Sequence, residues 1–394
     1  MTTTGIRAAR RYLGLMLILL ASAIPTNESF SIGPLKRVLP LPKTTRCSGL
    51  LVADGRQSQS PLASALRIEV DAEANVDLDQ NNRLAATYNI AKIASSVAWI
   101  VTAYVALSFH PDPRFKDCTL RHNLLTMGQA FAFPLPILWA SFEGLQLSAK
   151  NGTLQSPTAR RLGLAVSAAS FWLAASMAIP PKFAFGYDLY KQSHRVAATV
   201  IHGSTGLFAL SILLRSSKPG EIFRGLVDSL WKLGPKQSAS DQNSFEENSS
   251  LLATGCIGLL WFTILPIVSP YPLATIPTIL GKRLSRPASA FTLLGSVMAY
   301  CLKEGEDSVP STDVETVQRQ DLKRILNRGL AMGSGSHLLL IALKLVGVDG
   351  GGWILPGRGL WEVYPAMMAV PFTAGVSMLV HAIVCFATWR FGFN

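Results

Sequence analysis

The sequence predicts an all-α, polytopic membrane protein with about eight transmembrane helices, and three observations carry that expectation. Of the 394 residues, 49% are hydrophobic and only 15% charged, whereas a soluble domain carries about a quarter charged residues. The mean hydropathy is positive. Apolar runs approaching the ~20 residues that a helix needs to cross about 30 Å of hydrocarbon recur along the chain. Lipid offers the backbone no hydrogen-bond partners, so such runs must be helical. This composition excludes a disordered chain, a nucleic-acid-binding basic protein and an ordinary soluble enzyme.

In chain order, the first segment reads as an address. Arg7, Arg10 and Arg11 precede the short apolar run Tyr12 to Leu20 and the small-residue site Ala21-Ser22-Ala23, the pattern of a signal peptide over residues 1–23. Residues 24–67 are rich in Ser, Thr, Pro and basic side chains and poor in acids, as transit peptides are. Together they resemble the bipartite plastid-targeting leaders of diatoms and related algae with secondary plastids. That resemblance implies a plastid membrane, thylakoid or envelope, with the endomembrane system as the alternative; it covers the leader alone. Here Ile24 and Pro25 follow the small-residue site where the family prefers an aromatic residue, and Phe30 after Ser29 is a second candidate junction.

The formal charge of +12 is shared between this leader and the rest of the chain. A modest excess of Lys and Arg in loops is what membrane topology requires, so it implies no nucleic-acid partner. The five cysteines are scattered and form neither a disulfide framework nor a zinc-ligand pair.

A polar stretch, 68–89, leads into eight apolar segments: Ile90 to Phe109, Asn123 to Leu147, Leu162 to Pro181, Val196 to Leu214, Leu251 to Val268, Pro287 to Leu302, Gly329 to Val346 and Glu362 to Trp389. Bases near their ends place both termini on the stromal or cytosolic side. Pro266 bends or ends the fifth segment, and Pro134 and Pro136 interrupt the second. The long loop 215–250 separates a first half, 90–214, from a second, 251–394. Its stretch Glu221 to Leu233 has the spacing of an interfacial helix, a place for a membrane-complex partner. Gly163-Leu164-Ala165 and Gly329-Leu330-Ala331 open the third and seventh segments, and their offset of 166 residues points to a 4+4 parallel repeat.

The chain has no phosphate loop, paired prenyltransferase aspartates, desaturase histidine boxes or serine nucleophile elbow. What remains is a set of ionisable groups inside the segments: Glu143, His202, His337, Lys344 and His381. Such groups are costly in hydrocarbon and mark pathways or ligands, or else hydrogen-bond across helix contacts. Counted at ~1.5 Å per residue, His202 lies about 10 Å from the outer boundary, His337 about 14 Å and His381 about 25 Å. This predicts that His202 and His337 meet, as axial ligands of haem b or a chlorophyll-type pigment, while His381 sits too deep to join them. Lys344 snorkels to the outer interface. The loop residues His110, Asp112, Asp117, Cys118 and His122 are metal-capable, but Arg114, Lys116 and Arg121 among them repel a cation.

The leading expectation is passage of a small solute or proton along His202, His337, Lys344, His381 and Glu143, without enzymatic chemistry. A haem- or pigment-binding redox protein on His202 and His337 is the first alternative. A membrane assembly or scaffold factor is the second.

Overall fold

The computed structural model describes residues 61–108, 128–178, 192–216, 243–268, 279–304, 313–345 and 369–392, and side chains over the inner part of each helix. Among these residues the chain is all helical, with no strand. Eight helices follow in order: α1 (Pro61–Ser108), α2 (Pro134–Lys150), α3 (Pro157–Ala178), α4 (Gln192–Ser216), α5 (Asn243–Val268), α6 (Ile279–Glu304), α7 (Asp313–Leu345) and α8 (Ala369–Gly392). Each coincides with one of the eight apolar segments. The leader, the metal-capable loop at 110–122, the interfacial stretch at 221–233 and the glycine-rich connection at 347–359 lie outside the described residues.

Helix boundaries follow local chemistry. α1 runs without interruption from Pro61, because no Gly or Pro occurs between there and Ser108; the polar stretch 68–89 is therefore part of this helix rather than a separate segment. α2 ends at a left-handed Gly152 (φ +67°), where the Thr153 amide donates to the Ser148 carbonyl at 2.8 Å and the Gly152 amide to Ala149 at 3.1 Å. Ser156 caps α3 by accepting from the Ala159 amide at 3.3 Å, with Pro157 set at the first helical position. α5 continues to Val268, two residues past Pro266. α8 spans Ala369–Gly392, and the first residues of the apolar run from Glu362 lie outside the described residues.

The two prolines of α2 are accommodated by side chains from neighbouring helices. A short helical turn at 128–132 precedes a break at Phe133. Pro134 and Pro136 lack the amides that would bond the carbonyls four residues earlier, at Ala130 and Ala132. Trp99 of α1 donates its indole N–H to the Ala130 carbonyl at 2.7 Å. Ser336 of α7 donates its hydroxyl to the Ala132 carbonyl at 2.9 Å. The break is thus a satisfied joint on which α1 and α7 converge.

The helices stack as two layers of four. One layer runs α4, α3, α6, α5 and the other α1, α2, α7, α8, each helix packed on its neighbours. Across the layers α1 faces α4, α2 faces α3, α7 faces α6 and α8 faces α5, and α2 touches α6 at the centre. Trp99, fully buried, meets Phe291 of α6 edge to face at 4.7 Å. The core continues through Phe133, Ile137, Phe142, Leu145, Leu294 and Met298.

Among the described residues, three stretches are long and apolar enough to cross a membrane: Asp79–Tyr104, Pro157–Ala178 and His194–Arg215; Ser250–Leu265 and Gly375–Trp389 are shorter apolar stretches. The outside of the bundle is greasy. Ile90 is 67% exposed, and Ile93, Val97, Val101 and Tyr104 continue its stripe along α1. Val196, Val200, Leu207 and Leu214 do the same on α4, Ile257, Trp261 and Ile264 on α5, and Leu379, Phe386 and Trp389 on α8. Contiguous apolar surface of this kind marks contact with lipid or protein rather than water.

Candidate functional site

Polar side chains turn inward and collect in two places. In the first half, Lys92 of α1 and Glu143 of α2 form an ion pair at 3.2 Å; the Lys92 side chain is 10% exposed and that of Glu143 43%. Trp139, one turn before Glu143, lies with its ring 4.8 Å from the Lys92 ammonium. Its indole N–H donates to the Ser96 hydroxyl at 2.9 Å, and Ser96 donates to the Lys92 carbonyl at 2.7 Å. On the adjacent face of α1, Ser95 shares a hydrogen bond with Thr205 of α4 at 3.3 Å. One turn along α4 lies His202, buried, with an Nδ1 that has no hydrogen-bond partner. Opposite charge offsets part of the desolvation of Lys92, and the cation–π contact adds to it. The result is a graded line: an ion pair half open at Glu143, then hydroxyls, then a lone imidazole.

In the second half, His337 of α7 and His381 of α8 meet with ring centroids 4.5 Å apart and planes 53° to each other. Phe133, at the break in α2, packs on both, at 5.9 Å from His337 and 4.9 Å from His381. His381 is buried and its Nδ1 has no hydrogen-bond partner. Cys385 follows one turn along the same face of α8, where a β-carbon on Gly335 of α7 would sit 3.5 Å from its sulfur.

The expectation that His381 lies too deep to reach His337 is corrected by this contact. The physical reason is that a count of ~1.5 Å per residue gives a depth along one helix, whereas the two rings reach toward each other from neighbouring helices. His202 is set elsewhere, on a helix that packs against α3 and α1, while α7 packs against α8, α2 and α6. An iron held between two axial imidazoles keeps the ring centroids about 6 Å apart, so the His337–His381 spacing does not suit a haem clamped between them. Lys344 falls within α7, and its side chain lies outside the described residues. Among the described residues no group of three or more His, Cys, Asp or Glu forms a metal cluster.

Sequence reading singled out Glu143 but passed over its partner. Lys92 counted as a boundary charge, and Ser95, Ser96, Thr205 and Trp139 as ordinary helix residues. Nothing in the sequence said which helix would face them.

Comparison with known protein families, characterised proteins and solved structures gives no match. The geometry alone therefore defines the class: an all-helical bundle with membrane-compatible helices, an apolar exterior and polar clusters inside.

Proposed function

We propose that the chain is a polytopic protein of a plastid membrane, that all eight helices cross the bilayer, and that it passes protons or a small solute through its first half. The observation that carries this reading is the inversion of polarity. Apolar stripes on α1, α4, α5 and α8 face outward, while Lys92, Glu143, Ser95, Ser96, Thr205 and His202 point into the bundle. In lipid that arrangement hides most of these costly groups, with Glu143 half open, and leaves a polar line along which a proton can be handed on.

A 4+4 parallel repeat belongs to the same proposal. Every packing relation among the first four helices has its counterpart among the last four: α1 on α2 with α5 on α6, α3 on α4 with α7 on α8, α1 on α4 with α5 on α8, α2 on α3 with α6 on α7. Between the halves, α3 on α6 corresponds to α7 on α2. Individual contacts correspond as well. Ser95 meets Thr205 where Gly255 approaches Val384, and His202 and His381 each precede those α4 and α8 residues by three. The two histidines are therefore equivalent positions, paired with His337 in one half only. The register between halves differs from helix to helix: Ser95 and Gly255 are 160 residues apart and Thr205 and Val384 are 179, while the offset of 166 that aligns Gly163 with Gly329 also brings the first, second and fourth segments at or close to the starts of the fifth, sixth and eighth.

Three measurements test this. Tags on the mature head and tail are expected to be degraded by protease from the same face of sealed vesicles; opposite faces overturn the eight-span topology. In liposomes carrying a pH-sensitive dye, the protein is expected to dissipate a proton gradient, and Glu143→Gln and His202→Leu to slow that by at least about tenfold. A protein that inserts fully but leaves both proton and small-solute fluxes at the level of empty liposomes overturns the transport reading. A fluorescent C-terminal fusion seen in the endomembrane system instead of the plastid overturns the location.

A further inference from the structure

The ion pair of the first half restricts which solute can bind there. Lys92 and Glu143 together carry no net charge, and their ammonium and carboxylate stand 3.2 Å apart. The two groups differ in access, since the Lys92 side chain is 10% exposed and that of Glu143 43%. The indole ring of Trp139 lies 4.8 Å from the ammonium. A carboxylate beside an aromatic face is the chemistry that recognises an ammonium group. Lys92 fills that place from within the chain.

Charge balance narrows the ligand. A plain cation that takes Glu143 leaves the Lys92 ammonium buried without a counter-charge, and a plain anion that takes Lys92 strands the Glu143 carboxylate. Leaving one member of a buried pair without the other weakens binding by at least about a hundredfold. Glu143 is the more open of the two, so the penalty falls hardest on a ligand that leaves Lys92 alone. A ligand that brings both charges incurs neither cost. Its ammonium takes the place beside Glu143 and Trp139, while its carboxylate meets the Lys92 ammonium, which a flexible four-carbon stem allows to swing aside. Further along, the line carries no fixed charge. Among the described side chains, α1 has no Asp, Glu, Lys or Arg from Ile93 to Tyr104, and α4 none from Val196 to Leu214. Ser95 and Thr205 offer hydroxyls there, and His202 an imidazole Nδ1 that has no hydrogen-bond partner. A solute with net charge would meet no compensation along it.

We propose that the solute of the first half is a small zwitterion, an ammonium and a carboxylate joined through a short chain. It binds by opening the Lys92–Glu143 pair, so that each charge of the ligand meets one of the protein. The inference rests on the transport reading and deepens it by naming the solute class. Binding is measured in detergent without a gradient, so the two fail separately.

The test uses the full chain, purified in detergent, and equilibrium dialysis with labelled probes of matched shape. Glycine betaine carries both charges, tetramethylammonium only the positive one, and tert-butylacetate, in which carbon replaces the charged nitrogen, only the negative one; glycine is a second zwitterion with a smaller ammonium. The wild-type chain is expected to hold glycine betaine at least about a hundredfold more tightly than tetramethylammonium and about tenfold more tightly than tert-butylacetate, the smaller factor reflecting the exposure of Glu143. Lys92→Met is expected to turn the preference to tetramethylammonium, which Glu143 and Trp139 then hold without stranding a lysine, and Glu143→Gln to turn it to tert-butylacetate. A misfolded variant would gain neither. The double variant Lys92→Met/Glu143→Gln is expected to bind none of the probes, and Thr263→Val, in the hydroxyl pair of α5 and α6, to keep the wild-type order. Three results overturn the proposal: neither free zwitterion binds, including the case in which only phosphatidylcholine in the micelle occupies the pair; a singly charged probe binds the wild-type chain best; or both single variants keep the wild-type order. Proton flux without zwitterion binding leaves the transport reading standing, whereas zwitterion binding without any flux overturns that reading alone.

Discussion

Trp99→Ala is expected to destabilise the bundle by about 3–5 kcal/mol, which in a thermal-shift measurement on the detergent-solubilised protein appears as a large fall in Tm. Trp99 is fully buried between α2 and α6, so its removal leaves a void that close-packed helices fill only in part. It also strands the Ala130 carbonyl that Pro134 has left without an amide partner. The two contributions separate in a double-mutant cycle. Trp99→Phe keeps most of the packing and loses the hydrogen bond, at a cost of about 1–3 kcal/mol. In a Pro134→Ala background the restored amide at 134 serves Ala130, and the same Trp99→Phe change is expected to cost less. Equal costs in both backgrounds would show that the indole is held by packing alone.

Gly329→Ala is expected to cost about 1–3 kcal/mol, against the usual helix-interior gain of about 0.5–1 kcal/mol for that exchange. A β-carbon at 329 would collide with the Ala140 side chain of α2 and come within 3.1 Å of the Pro136 carbonyl, which is backbone and cannot turn aside. Glycine here lets α7 approach α2 closely, as small residues do at helix contacts in membranes. Gly335→Ala on the same helix provides the control. Its β-carbon would meet only the Cys385 sulfur at an ordinary 3.5 Å, so the variant is expected to be at least as stable as the parent. If both variants behave alike, the close approach of α7 to α2 does not limit stability.

Much of the fold is legible from composition and periodicity because those depend on local constraints. In lipid an apolar run must be a helix, whatever packs beside it, and each of the eight described helices overlaps one of the eight apolar runs. An error arises at one end: the polar character of 68–89 hides the continuation of α1. Hydropathy reports what surrounds a residue, whereas helix ends depend on Pro, Gly and capping groups. The site was legible in part. His202, His337, His381 and Glu143 stand out because an ionisable residue among apolar ones is rare, while Lys92 was lost among boundary charges. Partnership was misjudged because a depth counted along one helix does not say which neighbouring helix its side chains reach.

The sequence by itself determined that the chain is helical, apolar outside its charged ends, and punctuated by a few buried ionisable groups, since each of these follows from residues close together in the chain. Only the tertiary structure decided that Trp99 and Ser336 serve the carbonyls freed by Pro134 and Pro136, that Lys92 neutralises Glu143, and that His337 finds His381 rather than His202. Those contacts join residues from 31 to 204 positions apart, and which helices become neighbours depends on how all eight faces pack at once. No single stretch of chain contains that information.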